Sequence, residues 1–503
     1  MVQIRKWLPL LALDAEPGKA SYKKIADALA QAVRSGKLTP GTALPGTREL
    51  AALLDVNRKT VMLAYDEATA KGWLCSQPRR GTFVSDLLEP AQSAPARSTR
   101  RAPAPTSAPT QFVPSFLTPT LPRYFHPRAG FAATGHSDAL FFDNGAADHR
   151  LLPQTVLHRY YRNAINQAVK SNAVNYGNQE SATQLRTALA QMLRTTRALD
   201  VSADNLCLTQ GTQMALQLAA AALIRPGDVV LVERLSYPPA WAIFQALGAR
   251  IEVVDIDQHG CQVEQIDALC LAHTVRLIYV TPHHQFPTTV SMPADRRQKL
   301  LSLAVRHNFT ILEEDYDHEY HFAGRPYPPL ASDVTQRHVI YVGSLSKLLG
   351  SSFRCGFIAA PANLIATLNG NLSLLSSQSD AIMQKMLAKL IDDGELGKHL
   401  RRATKHYRAR KDALLQQLHD AFGARIAVRS PEGGLALWVE FTGDIDVDKL
   451  VKRAAQHQLF VRSGRQFAPL DQAENALRLG FASMNPDELA QAVKRLQAAA
   501  AAR

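Results

Sequence analysis

The sequence predicts a multidomain chain: a small helical unit with a two-stranded hairpin, then an α/β body on a mainly parallel sheet, closed by a smaller α+β lobe. Three observations carry this. The 503 residues, 46% of them hydrophobic, exceed one ordinary domain and can bury sizeable cores. Residues 86–122 are dominated by Pro, Ala, Ser and Thr, a composition that cannot offset its ordering entropy by burial and reads as a linker. Beyond it, apolar runs at 229–232, 277–280, 309–312 and 339–342 alternate with helical patterns, the mark of strands joined by crossover helices. The expected divisions are 1–85, the linker 86–122, and a body 123–503 whose smaller lobe begins near residue 394. There a long charged helix is followed by short strands and a final helix.

In the first unit, Ile25, Ala28, Leu29, Ala32 and Val33 recur at the spacing of one buried helical face. Gly36 and Pro40-Gly41 break the chain, and a short second helix starts at Thr47. Asn57 is placed to cap a third helix that turns Val61, Ala64, Tyr65 and Ala68 inward and opens on the polar turn Arg58-Lys59-Thr60. Residues 72–84 read as two short strands around the basic turn Arg79-Arg80, a wing.

Leu44-Pro-Gly-Thr-Arg-Glu-Leu-Ala, Val56-Asn-Arg-Lys-Thr-Val, Gly72-Trp-Leu and Arg80-Gly-Thr-Phe-Val together resemble the winged helix-turn-helix domain of the GntR family. The family's Ser-Thr-Arg is Gly46-Thr47-Arg48 here, which removes one hydroxyl. The resemblance implies double-stranded DNA as a partner. Thr47, Arg48, Asn57, Arg58, Lys59, Thr60, Arg79 and Arg80 are then the candidate contacts, since a recognition helix presents its first turn to the major groove. A three-helix unit that mediates only protein contacts is the alternative.

Charge agrees without deciding. The net charge is +13, and residues 1–101 carry 16 basic against 9 acidic residues, so the basic excess is densest at the N-terminus. The five cysteines, Cys75, Cys207, Cys261, Cys270 and Cys355, are scattered and lack CxxC spacing; they indicate neither a disulfide framework nor a metal site, and fit a reducing compartment. No apolar run approaches the roughly 18 to 20 residues that span a bilayer, so a cytoplasmic protein without a membrane partner is expected.

The body holds a constellation of chemistry-bearing residues. A strand-like run enters Gly343-Ser344-Leu-Ser346-Lys347, with Arg354 seven residues on. A Schiff-base lysine needs a depressed pKa or a cationic neighbour, and hydroxyls with an arginine can hold a phosphate beside it. Lys347 is the candidate. At 206–213 an apolar strand turns through Gly211-Thr212-Gln213 into a helix, whose free N–H groups make a phosphate site. Glu313-Glu314-Asp315-Tyr316 closes another strand with acids and a phenol, the groups a pyridine nitrogen and its neighbouring oxygen require. Tyr237 offers a ring to stack, and Tyr176 a phenol within reach of a phosphate.

In the order Tyr176, Thr212, Tyr237, Tyr316, Lys347, Arg354, these residues resemble the fold-type I aminotransferases along most of residues 140–490. The resemblance implies pyridoxal 5′-phosphate as cofactor, held by Gly211, Thr212, Gln213, Tyr237, Glu314, Asp315, Tyr316, Ser344, Ser346, Lys347, Arg354 and Tyr176. The fusion of the two halves, with Thr281-Pro-His-His-Gln-Phe-Pro-Thr and Glu313-Glu-Asp-Tyr-Asp-His-Glu, is similar to the MocR/GabR-type regulators. That likeness implies a regulator that senses the cofactor, often with an amino-compound effector, in a head-to-tail homodimer where Tyr176 serves the partner subunit's site.

Two departures stand out. The usual Glu-Asp-Asp-Tyr-Asp reads Glu313-Glu314-Asp315-Tyr316-Asp317 here. Residues i and i+2 of a strand share a face, so Glu314 and Tyr316 are expected to point together at the ring, with Asp315 the alternative. Thr288-Thr289 stands where the family has Thr-Gly. Arg478 is a candidate for pairing an effector or substrate carboxylate. An active aminotransferase carrying a DNA-binding domain is the competing reading, and a body serving only as a dimerisation scaffold is a third.

Overall fold

The computed structural model describes residues 22–70, 73–77, 80–85, 138–171, 179–324, 326–332, 337–376, 380–470 and 474–501. Tyr176, Arg79 and the linker 86–122 lie outside the described residues. The chain divides into two compact units, Met1–Pro114 and Ser115–Arg503.

The first unit packs helices α1 (Tyr22–Arg34), α2 (Thr47–Leu53) and α3 (Arg58–Ala70) against a hairpin of β1 (Leu74–Gln77) and β2 (Gly81–Val84). Ile25, Leu29, Leu50, Val61, Ala64, Leu74 and Val84 are buried together, so the apolar spacing of each element faces one core. Two polar contacts set the entrance of α2. Glu49 Oε2 accepts from the Gly46 amide at 3.1 Å, closing the start of α2. The Tyr65 hydroxyl donates to Pro45 O at 2.9 Å, pinning α3 to the entrance of α2.

The second unit is built on seven strands. In chain order they are β3 (Leu206–Thr209), β4 (Val229–Glu233), β5 (Arg250–Val254), β6 (Val275–Val280), β7 (Thr310–Asp315), β8 (Val339–Ser344) and β9 (Gly356–Ala359), and they lie side by side as β3-β9-β8-β7-β6-β4-β5. All pairings are parallel except those of β9, which is antiparallel to both neighbours. Strands β4 and β8 are buried along their whole length, which explains why they read as unbroken apolar runs rather than alternating ones. Helix α4 (Thr212–Leu223) follows β3 directly and packs on the same sheet.

The smaller lobe pairs four antiparallel strands in the order Ile426–Val428, Ala436–Phe441, Ala476–Gly480, Arg462–Ser463. The helices Glu395–Phe422 and Pro486–Ala501 cover it. The apolar run at 459–462 divides between two sheets: Leu459–Phe460 pairs in parallel with Leu140–Phe141, while Arg462–Ser463 joins the four-stranded sheet. A segment just before residue 150 thus completes a lobe otherwise built from the C-terminal part, a long-range pairing that local periodicity does not encode.

Candidate cofactor site and nucleic-acid interface

Parallel strands β4, β6, β7 and β8 end on one side of the sheet, where ligands of α/β proteins gather. A cavity of about 130 Å³ lies there, lined by Asn144, Thr212, Tyr237, Phe286, Glu314, Tyr316 and Lys347, with Tyr279 beneath. Lys347, in the short helix Ser346–Leu349 after β8, donates from Nζ to the Asn144 and Gly145 carbonyls at 3.1 and 2.6 Å. Burial holds its ammonium below the usual lysine value, against the carboxylates of Asp143 and Asp317. The backbone here is held at two successive carbonyls: Tyr320 donates to Lys347 O at 3.0 Å, and His399 Nε2 to Leu348 O at 2.9 Å.

The acids at the end of β7 separate by strand alternation. Glu314 is buried beside the cavity, where it accepts from the Tyr279 hydroxyl and from Thr212. Burial pushes its carboxyl up to about 7. Asp315 faces the other way, accepting from His318 Nδ1 at 2.7 Å and the Tyr341 hydroxyl at 2.8 Å. The histidine, with His283 and Arg197 close by, holds it well below the usual carboxylate range against the pull of burial. Tyr316 shares the cavity face with Glu314; its hydroxyl donates to His284 O at 2.8 Å, and its ring centre lies 5.9 Å from Lys347 Nζ.

Tyr237 and Phe286 add aromatic rings to the cavity lining, while Gln213, Ser344, Ser346, Arg354 and Arg478 lie outside that lining. Tyr237 packs edge-on against Phe286, ring centres 5.3 Å apart, and its hydroxyl accepts from Gln213 Nε2 at 3.3 Å. Gly211 has φ +88°, and a Cβ there would lie 3.1 Å from the Arg354 guanidinium, which donates to Gln210 O at 2.9 Å. The glycine therefore serves conformation and close approach together. Gly356 is similarly tight: a Cβ would meet the Gly211 carbonyl carbon at 2.7 Å. Ser344 Oγ accepts from the Ser346 amide at 3.0 Å, while Ser346 Oγ is buried without a hydrogen-bond partner. Arg478 is buried, its guanidinium 4.6 Å above the Phe286 ring, donating to Pro287 O at 2.6 Å with Nε unpartnered.

In the first unit, Arg48, Asn57, Arg58, Lys59 and Arg80 are exposed, and Thr47 and Thr60 are half-buried. Asn57 Oδ1 accepts from the Lys59 amide at 2.8 Å, capping α3, and Arg58 Nε reaches Thr47 Oγ1 at 3.4 Å. The Arg58–Thr47 contact joins the starts of α2 and α3 into one polar face.

Residues 147–496 match the family model Aminotransferase class I and II. The chain belongs to this family. Ahead of its aminotransferase domain, residues 21–84 match the model Bacterial regulatory proteins, gntR family. The chain is 29% identical over 496 residues to the HTH-type transcriptional regulator TauR of Rhodobacter capsulatus, covering 96% of this chain and 97% of that one. It is 28% identical to the probable rhizopine catabolism regulatory protein MocR of Rhizobium meliloti, with 97% and 96% covered. Among solved structures, the multiple substrate aminotransferase of Thermococcus profundus superposes with a TM-score of 0.68 at 26% identity, covering 73% of this chain and 92% of that one. The aminotransferase domain thus has the fold expected from its motifs, and no helix among the described residues is long and apolar enough to cross a membrane.

Several of the groups around Lys347 in this aminotransferase domain were not among the sequence candidates. Asn144 and Gly145 sit far away in sequence and carry no motif. Tyr279 is one apolar strand residue among others, and Phe286 was noted only inside a longer run. A pairing of Tyr279 with the β7 acids follows from sheet order, which requires knowing that β6 and β7 are neighbours.

Proposed function

We propose that the chain is a DNA-binding transcription regulator whose aminotransferase domain binds pyridoxal 5′-phosphate at Lys347 and reads an amino-compound effector there. The single observation that carries this reading is the union, in one chain, of an exposed basic face on α2 and α3 with a cavity that brings a half-buried lysine and a buried carboxyl to the start of α4. The names of TauR and MocR as regulators, over nearly the whole chain, support it.

The cavity's chemistry fits the cofactor. Lys347 would form the covalent link, and its lowered pKa favours the free amine that bond formation needs. Glu314 would hold the pyridine nitrogen, with Tyr279 and Thr212 fixing its carboxyl in place. Arg354, Thr212, Ser344 and Ser346 would hold the phosphate near the start of α4; the partnerless Ser346 Oγ is a donor without a use in the protein alone. Tyr237 would cover the ring, and Tyr316 would bond its oxygen. When bound, pyridoxal phosphate supplies an electron sink for the carbon bonded to an amine nitrogen. Arg478 would pair the carboxylate of an amino acid, its unpartnered Nε being free to donate.

An effector shifts DNA binding only through different affinities for two arrangements of the protein. The test measures operator binding by fluorescence anisotropy with apo protein, cofactor-loaded protein and loaded protein plus candidate amines, alongside visible absorption. Coupled changes in spectrum and affinity are expected, both absent in Lys347→Ala. Operator affinity identical in all three states would defeat the sensing role. Head-to-tail dimerisation is part of the proposal, supported by the exposed Tyr161, Ile165 and Val169 on the helix Gln154–Lys170.

The buried Arg478 also favours a second reading, an aminotransferase that retains turnover. Sustained product formation from an amino acid and a 2-oxoacid would support that reading; a single half-reaction would support the regulator.

A further inference from the structure

Next to Tyr316, whose hydroxyl donates to the His284 carbonyl, four histidines converge. His283 stacks on His318 with ring centres 4.5 Å apart and lies 4.1 Å from His284; His321 is 5.9 Å from His283. His283 is 3% exposed, yet neither of its ring nitrogens has a partner. His284 Nε2, His318 Nε2 and His321 Nδ1 are likewise buried and unpartnered. Buried polar atoms are normally paired, and a group of orphans aimed at one another calls for an occupant. Two of the rings are also oriented from behind: Asp317 accepts from His284 Nδ1 and Asp315 from His318 Nδ1, each at 2.7 Å. A carboxylate on the far nitrogen of an imidazole fixes its tautomer and turns the other nitrogen into a ligand.

We propose that His283, His284 and His321 form a site for a divalent transition-metal ion of the zinc class. The three offer one nitrogen each, all within 4.8 Å of one another. Zinc bound at about 2.0 to 2.1 Å draws tetrahedral ligand pairs to about 3.3 Å, so ring rotations of modest size close the triad. Neutral imidazoles suit zinc, copper and nickel, and a three-histidine set leaves a fourth position open. His321 is half-buried and gives the ion its way in from solvent. The scattered cysteines gave no sign of this site because its ligands are histidines from two loops, one after β6 and one after β7. The Gly433-Gly434 turn closes it: a Cβ on Gly433 would lie 2.4 Å from His284 Nε2.

The site touches the cofactor cavity without belonging to it. Tyr316 donates to the main-chain carbonyl of His284, and Asp317 lies within the field of Lys347. Metal binding itself needs neither Lys347 nor pyridoxal phosphate.

The test uses full-length protein stripped with a chelator and freed of pyridoxal phosphate, titrated with Zn²⁺ against a chromophoric competitor, with bound metal counted by mass spectrometry. One equivalent per chain is expected, retained in Lys347→Ala, with affinity about tenfold or more lower in His283→Ala, His321→Ala and Asp317→Asn. Co²⁺ in place of Zn²⁺ should give the visible bands of a tetrahedral nitrogen site. Wild-type protein binding no Zn²⁺ at tens of micromolar would overturn the proposal without recourse to any variant. So would stoichiometric Zn²⁺ persisting in a His283→Ala/His321→Ala double variant, since the chain has 16 histidines to bind it elsewhere.

Discussion

Tyr279 on β6 donates its hydroxyl to Glu314 on β7, and the register of the two strands makes this possible. Tyr279 lies opposite Leu312, so Glu314, two residues on, projects from the same face one step nearer the cavity. The phenol lowers the carboxyl's pKa against the rise that burial causes. Tyr279→Phe should therefore leave Glu314 more protonated near neutral pH and weaken pyridoxal phosphate binding by roughly tenfold, about the worth of a hydrogen bond to a charged group. Equilibrium dialysis at pH 6.5 and 8.5 checks it. The loss should shrink at the higher pH, where Glu314 ionises in either protein; an equal loss at both would assign Tyr279 a packing role only.

Gly356 presses against the turn that carries Gly211, leaving no room for a methyl group. A Cβ there would meet the Gly211 carbonyl carbon at 2.7 Å, the Gly211 Cα at 2.9 Å and Thr209 Oγ1 at 2.9 Å, so two of its three nearest neighbours are backbone atoms that yield only if the turn moves. Gly356→Ala should shift the start of α4 away from β9, costing about 1–3 kcal/mol of stability and lowering cofactor affinity together. Denaturant unfolding of the apo protein and a cofactor titration measure the two effects. Unchanged affinity in a destabilised variant would mean that the start of α4 does not hold the phosphate.

The exposed guanidinium groups of Arg48 and Arg58 belong to the N-terminal face proposed to meet DNA. Phosphate contacts release counterions, so the salt dependence of binding counts them. Arg48→Ala and Arg58→Ala should each lower affinity on any duplex and flatten the slope of log K against log salt by about one if the contact is to phosphate. A contact to a base edge would instead cost about 1–3 kcal/mol on the cognate sequence alone. Binding unaffected on both cognate and random duplexes would remove these residues from the interface.

Sequence made some of this legible and hid the rest for physical reasons. The strands of the body declared themselves because parallel strands buried on both faces are apolar throughout, and the separation of Glu314 from Asp315 followed from a period of two. Lys347 stood out because its hydroxyl and arginine neighbours are local in sequence. Asn144, Gly145 and Tyr320, which contact it, lie 203, 202 and 27 residues away, and no short-range pattern records such a meeting. The histidine cluster was hidden for the same reason: its members lie on two loops, and neither stretch alone has metal-ligand spacing.

Glu313, one residue before the cavity acid, faces away from it and accepts from the Leu330 and Ala331 amides at 2.9 and 3.0 Å. Burial raises its carboxyl to about 7, against the pull of Arg297 and these amides. A carboxyl raised above its unfolded value of 4.5 binds a proton in the folded state that the unfolded chain has released. Its contribution to stability is thus fully present below pH 4.5 and is lost as the pH rises through 7. Glu313→Gln removes the titration but keeps an acceptor for only one of the two amides, since Leu330 and Ala331 bond different oxygens; this adds a pH-independent offset, and the comparison rests on the change with pH. Relative to the wild type, the variant should gain stability between pH 5 and pH 8, approaching about 3 kcal/mol at the upper end, since each pKa unit corresponds to about 1.4 kcal/mol. Denaturant unfolding of the two apo proteins across that range isolates Glu313 from the other buried groups, which titrate alike in both. A stability difference that stays constant with pH would mean that Glu313 ionises in the folded protein as it does in the unfolded chain.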